Sequence, residues 1–212
     1  MTIKEELIDY ANRCLAGEEI SGKKHKWACM RFLRDCKKED AKNVQANVWP
    51  YHWDEEEASK IVDWFSMLRH SKGDLAGQPI SLTIWQKFNL CQLYGWREDI
   101  TGYKRFKQSF IEVGRKNAKS QMEAGVALYE ISVMATRNEE NYEYYTAGTK
   151  RDQSKIILNE AKLMLNKSPL KPLFKITRDA VIHRKTGSFI KALIERGWPE
   201  WRWNQSGRTD FG

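Results

Sequence analysis

The sequence holds no apolar run of about 18 residues, which excludes a transmembrane helix read from sequence. Its first residues, MTIKEELIDY, lack an apolar h-region, so no secretory signal is expected. Cysteine is scarce. Cys14, Cys29, Cys36 and Cys91 contain no CxxC pair, which argues against a zinc ribbon or a disulfide scaffold and for a reducing cytoplasm. There is no internal repeat. Hydrophobic residues make 41% and charged residues 30%, so the chain can bury a core and is not a disordered polymer. Its 212 residues fit one ordinary domain or one and a half.

What is present is an excess of positive charge. Lys and Arg number 36 against 28 Asp and Glu, a net charge of +8. The excess is local: residues 150–191 hold eleven Lys or Arg and three acids, which matches the whole net charge. Such a patch suits a polyanion, and it equally describes a solvated basic face. Aromatics reach 12%, with nine Trp, and most are expected in the core.

The first half reads as helical. Thr2 and Glu5 are spaced as a capping box, and Ile3, Leu7, Tyr10 and Cys14 follow at helical intervals. Residues 23–38 form a basic amphipathic segment with Trp27, Met30 and Leu33. Asp54 through Glu57 open a third helix, with Ala58, Ile61, Val62, Phe65 and Leu68 on one face. Glu55, Glu56 and Glu57 read as a solvated helix start. His25, Cys29 and Cys36 share a helical stretch but match no common metal-ligand spacing. Residues 71–80 carry breakers and mark a boundary.

The second half alternates. Residues 81–94 read as a helix, 106–113 as a strand, 120–134 as a buried helix, 142–146 as a strand and 151–165 as an amphipathic helix. Short strands are expected at 173–177, 180–183 and 188–191. This order predicts an α/β fold with a parallel sheet. The strand ending Phe110-Ile111-Glu112-Val113 runs into Gly114-Arg115-Lys116-Asn117-Ala118-Lys119-Ser120 and then a helix. That is the setting of a phosphate-binding loop: free backbone N–H groups, a Lys for the outer phosphates and a hydroxyl for Mg²⁺. Val113 and Ala118 stand where the strict GxxxxGK[ST] pattern has Gly. The competing reading is a basic strand-to-helix turn.

These residues resemble the large subunit of the terminase of tailed bacteriophages. Arg115 through Ser120 is similar to that family's degenerate Walker A motif, RKNGKS, with Ala for Gly at 118. Pro79 through Gln86, Leu93 through Trp96, and Tyr144 through Gln153 resemble three further stretches of the family in the same order. Residues 10–35 resemble its helical leader. The resemblance covers about residues 8–192. It implies a P-loop NTPase-like parallel sheet, incomplete here, behind a helical segment: residues 1–75 helical, 76–192 a partial ATPase domain, 193–212 an aberrant tail. It implies a nucleotide-binding set of Gln86, Arg115, Lys116, Asn117, Ala118, Lys119 and Ser120. Gln86 would read adenine, Trp85 would shape that pocket or simply pack, and Arg115 and Lys116 would face phosphate. Lys119 would hold the outer phosphates and Ser120 the Mg²⁺. ATP and Mg²⁺ are the implied cofactors. Double-stranded viral DNA, the small terminase subunit, the portal and further copies of the chain are the implied partners, with no membrane, in the host bacterial cytoplasm. Gln153 reads as a helix-start residue.

Two features of the family are missing. No apolar strand ending in paired acids, the Walker B element, follows residue 140, and no acidic nuclease core is present. The chain is therefore expected to be a truncated fragment, inactive alone. The tail is peculiar: Trp198, Trp201 and Trp203 crowd into six positions. Trp has one codon, and read one base later it becomes Gly. In that frame the tail can encode a Gly-rich loop, and Arg208 through Gly212 an apolar strand with an acid. A frame change near Leu193 and a natural packed tail both remain open. Two other classes compete for the function: a non-enzymatic basic nucleic-acid-binding module and an inert prophage remnant.

Overall fold

The structure, a computed structural model, describes residues 1–42, 49–114, 116–148 and 151–193. The reading of the tail falls on residues 194–212, and Arg115 is one residue of the loop; both lie outside the described residues.

Helix α1 (Ile3–Ala16) begins with the expected capping box. Thr2 Oγ1 accepts from the Glu5 N–H at 3.1 Å, and Glu5 Oε2 accepts from the Thr2 N–H at 2.8 Å. It ends at Gly17, whose φ of +89° only glycine adopts cheaply. Helix α2 (Lys23–Lys42) packs on α1. Its inner face is Cys29, Phe32 and Cys36, not Trp27 and Met30, which are exposed. Two apolar stripes compete on this helix, and only packing against α1 and its neighbours selects one.

Strand β1 (Tyr51–Trp53) pairs antiparallel with β2 (Trp96–Glu98), Trp53 opposite Trp96. Between them lie α3 (Glu55–Met67) and α4 (Ile84–Gly95), which pack together. Asp54 caps α3 by accepting the Glu57 N–H at 3.0 Å. Glu57 itself is buried, which corrects its reading as part of a solvated start. Its carboxylate accepts from buried Arg97 at 2.5 Å, from Lys60 at 2.8 Å and from Arg137. Three cations compensate the burial of one charge. An aromatic core surrounds these elements, with Phe32 against Phe88 at 5.5 Å and Tyr94 against Tyr129 at 5.0 Å between ring centres.

Helix α5 (Lys119–Tyr129) continues through a π-helical turn, Glu130–Met134, into α6 (Ala135–Arg137). It is buried along most of its length, as its apolar sequence predicts. Strand β3 (Glu143–Thr146), α7 (Arg151–Asn166), a 3₁₀ turn (Lys171–Leu173) and strands β4 (Phe174–Ile176), β5 (Ala180–His183) and β6 (Phe189–Ala192) follow. The sheet order is β3-β6-β5-β4.

The expected parallel sheet is corrected to a small mixed one. Only β3 and β6 run parallel; β6–β5 and β5–β4 are antiparallel. The reason is connection length. Parallel neighbours need a crossover of about a dozen residues or more. The tight turns after Ile176 and His183 are too short for one, whereas the path from β3 to β6 passes through α7.

The expected strand at 106–113 is irregular and belongs to no ladder. Only its end keeps a strand's alternation, with Phe110 and Glu112 exposed and Ile111 and Val113 half-buried. No described strand pairs with it to take its backbone hydrogen bonds. Among the described residues no helix is long and apolar enough to cross a membrane.

Candidate nucleotide site

The turn before α5 is built on left-handed backbone. Lys116 has φ +69° and Ala118 has φ +51°, a region that L-residues enter at a cost. Asn117 steadies the turn by donating from Nδ2 to the Gly114 carbonyl at 3.1 Å. Ala118 then starts the helix without a side-chain cap, and its carbonyl accepts the first intrahelical bond, from the Met122 N–H at 2.9 Å. The N–H groups of Lys119, Ser120 and Gln121 precede that bond and have no carbonyl one turn back inside the helix. They form the positive end of the helix dipole. Lys116, Asn117, Ala118 and Lys119 are exposed and Ser120 is half-buried. The Lys119 ammonium and the Ser120 hydroxyl have no side-chain partner among the described residues.

Beside this turn lies a cavity of about 660 Å³. Gly114 and Asn117 form its wall on the loop side, Trp85 and Asn89 of α4 another, and Tyr10, Lys24 and His25 of the first two helices a third. The approach segment is held to α2 by Lys24, which pairs with Glu112 at 3.1 Å and lies 5.0 Å from the centre of the Phe110 ring. The cavity is of the size that small-molecule sites occupy.

The predicted site residues are only partly brought together. Trp85 lines the cavity, as one of its two readings requires. Gln86, next in sequence, does not line it. It is buried in the first turn of α4, and its Oε1 accepts from the Thr83 N–H at 2.9 Å and the Thr83 hydroxyl at 3.1 Å. Gln153 is exposed in the first turn of α7. Tyr10, His25 and Asn89 were not anticipated at the site. They come from three separate helices, and no local spacing announces their meeting.

The comparisons with known proteins bear on these elements. A family model described as the terminase large subunit, ATPase domain, matches residues 84–193, a span that contains Trp85, Gln86, the loop and all four strands of the mixed sheet. Among solved structures, the crystal structure of the large terminase of bacteriophage HK97 is similar, with a TM-score of 0.52 and 21% identity. The match covers 73% of this chain and 29% of that one, so the chain spans under a third of the length of that terminase. At this identity the likeness is one of fold. No curated protein matches the chain in sequence.

Proposed function

The chain belongs to the terminase large-subunit family through its ATPase domain, and from that premise we propose that the turn at 114–120 grips the phosphates of ATP beside the 660 Å³ cavity. The observation that carries this is the uncapped start of α5 behind two left-handed residues. Backbone N–H groups there suit phosphate oxygens, and Lys119 is placed in the first turn to reach the outer ones. Arg115 and Lys116 add positive charge. The half-buried Ser120 hydroxyl fits the magnesium-holding role, since no described side chain competes for it. Mg²⁺ bound there would neutralise phosphate charge.

The base would enter the cavity beside Trp85. Gln86 gives Oε1 to Thr83 and does not line the cavity, so reading adenine through Nε2 would require its side chain to leave the first turn of α4. The irregular 110–113 segment stands where a P-loop sheet has the strand that leads into its loop, and β3 with β6 would be that sheet's parallel pair. Residues 1–75 act as a helical unit that closes the cavity, and 76–192 carry the phosphate grip. Hydrolysis needs acids that no apolar strand after residue 140 supplies.

The whole protein's work, ATP-driven packaging of double-stranded viral DNA into procapsids with a portal, a small subunit and further copies of the chain, is proposed from family membership. The exposed Lys167, Lys171, Lys175, Arg178, Arg184, Lys185 and Lys191 support a DNA-facing surface. Calorimetric titration with Mg·ATP tests the nucleotide reading. Lys119→Ala should weaken binding by about tenfold or more while leaving duplex DNA affinity nearly intact. A basic nucleic-acid module without a nucleotide site would behave otherwise: no ATP heat in the parent chain, and a small uniform loss of DNA affinity in the variant.

A further inference from the structure

Cys14 ends the buried face of α1, and His25 and Cys29 stand four residues apart on α2. That spacing puts the imidazole and the second thiol on one face of α2. The link after Gly17 folds this face back onto α1. One donor atom from each of Cys14, His25 and Cys29 then lies within 4.8 Å of the other two. Both cysteines are fully buried and free, and His25 is half-buried. The Tyr10 hydroxyl sits 3.1 Å from His25 Nε2, so a fourth oxygen borders the cluster.

We propose that Cys14, His25 and Cys29 form a binding site for a soft, four-coordinate divalent cation of the zinc class. Bonds of about 2.0–2.3 Å in a tetrahedron place donors about 3.3–3.8 Å apart. The three donors therefore need to close by only about 1 Å. Two thiolates and a neutral imidazole around a dication make a neutral assembly, which lowers the cost of burial. Sulfur and imidazole select zinc over the hard, oxygen-seeking Mg²⁺. Tyr10 and His25 also line the 660 Å³ cavity, which provides the entry path. The metal would tie α1 to α2 and hold the wall formed by Tyr10 and His25. Both rings pack at steep angles against Phe88 of α4, each at 5.3 Å between centres. Nothing in this depends on the nucleotide reading, and the site is distinct from Ser120.

The test uses the full chain, reduced and stripped with a chelator, titrated with Co²⁺. One equivalent should produce thiolate-to-cobalt charge-transfer absorption with the intense visible bands of a four-coordinate site, and one equivalent of Zn²⁺ should bleach them. Cys29→Ser should weaken Co²⁺ binding by about a hundredfold or more. His25→Gln, at the half-buried edge of the cluster where a polar side chain is tolerated, should lose the same absorption with native circular dichroism. Cys36→Ser and Cys91→Ser should leave it unchanged. The proposal is overturned if the folded parent chain gives no charge-transfer band, or if the band survives in both Cys29→Ser and His25→Gln. It is also overturned if a Cys14–Cys29 disulfide forms readily in chain that takes up no metal.

Discussion

Ala118 is the residue on which the proposed phosphate grip turns. The family motif has Gly there, and the reason is now visible in the backbone: φ is +51°. Alanine pays about 1 kcal/mol or more to stay in that region. It is the smallest side chain that can do so, which is why the departure from the motif leaves the turn intact. Ala118→Gly should relieve this strain and open the approach to the loop N–H groups. A rise in Tm of a few degrees, equivalent to about 1 kcal/mol, is expected together with equal or tighter Mg·ATP binding. Thermal melting and calorimetry check both, and a clear loss of stability would show that the turn is not strained. Sequence spacing singled out this loop as a candidate phosphate site, because a Lys and a hydroxyl at a helix start are local signals. It could not show that Gln86 would spend its carbonyl oxygen on Thr83, although the Thr83-to-Gln86 spacing is itself that of a capping box.

At the scale of elements, α5 is the hub. It packs on α7 and α3 and carries the loop at its first turn. Gly125 makes the α3 contact possible. A Cβ there would overlap the Phe65 ring, and the Gly125 carbonyl accepts from Trp64 Nε1 at 3.0 Å. Both neighbours are buried, so neither has room to retreat. Gly125→Ala should cost about 1–3 kcal/mol despite the better helix propensity of alanine. Urea unfolding followed by circular dichroism measures it, and a neutral or stabilising result would mean that α3 and α5 sit farther apart. The helices were legible because caps and periodicity are local. Thr2 and Asp54 mark helix starts that the structure keeps. The expected strand at 106–113 failed for the opposite reason: its end alternates as a strand does, but a strand exists only where it is paired.

For the whole molecule, burial of polar groups ties stability to pH. His183 is buried in β5, with its Nδ1 at 3.0 Å from the Thr186 hydroxyl and its ring 5.5 Å from Phe174. Burial, and then Lys185, hold its pKa below the ordinary 6.5. The unfolded chain thus binds the proton more readily, so stability is complete above about 6.5 and falls as pH drops through the window below it. Tm should be lower at about pH 5.5 than at about pH 7.5, and His183→Gln should flatten the slope. A slope unchanged in that variant would assign the dependence to other groups.

Chain-local chemistry was enough to read the helix starts, the order of short strands after α7 and the turn that opens α5, since each depends on residues within a turn or two of one another. Long-range packing was needed for the rest. It chose which stripe of α2 faces inward, and buried Glu57 among Arg97, Lys60 and Arg137. It also set the mixed pairing of the sheet. Above all it brought Cys14 from one helix to His25 and Cys29 on the next. Along α2 alone, His25, Cys29 and Cys36 match no ligand pattern; the third donor lies across the interface. Contacts between residues far apart in the chain follow from the packing of whole faces, and no short spacing encodes that.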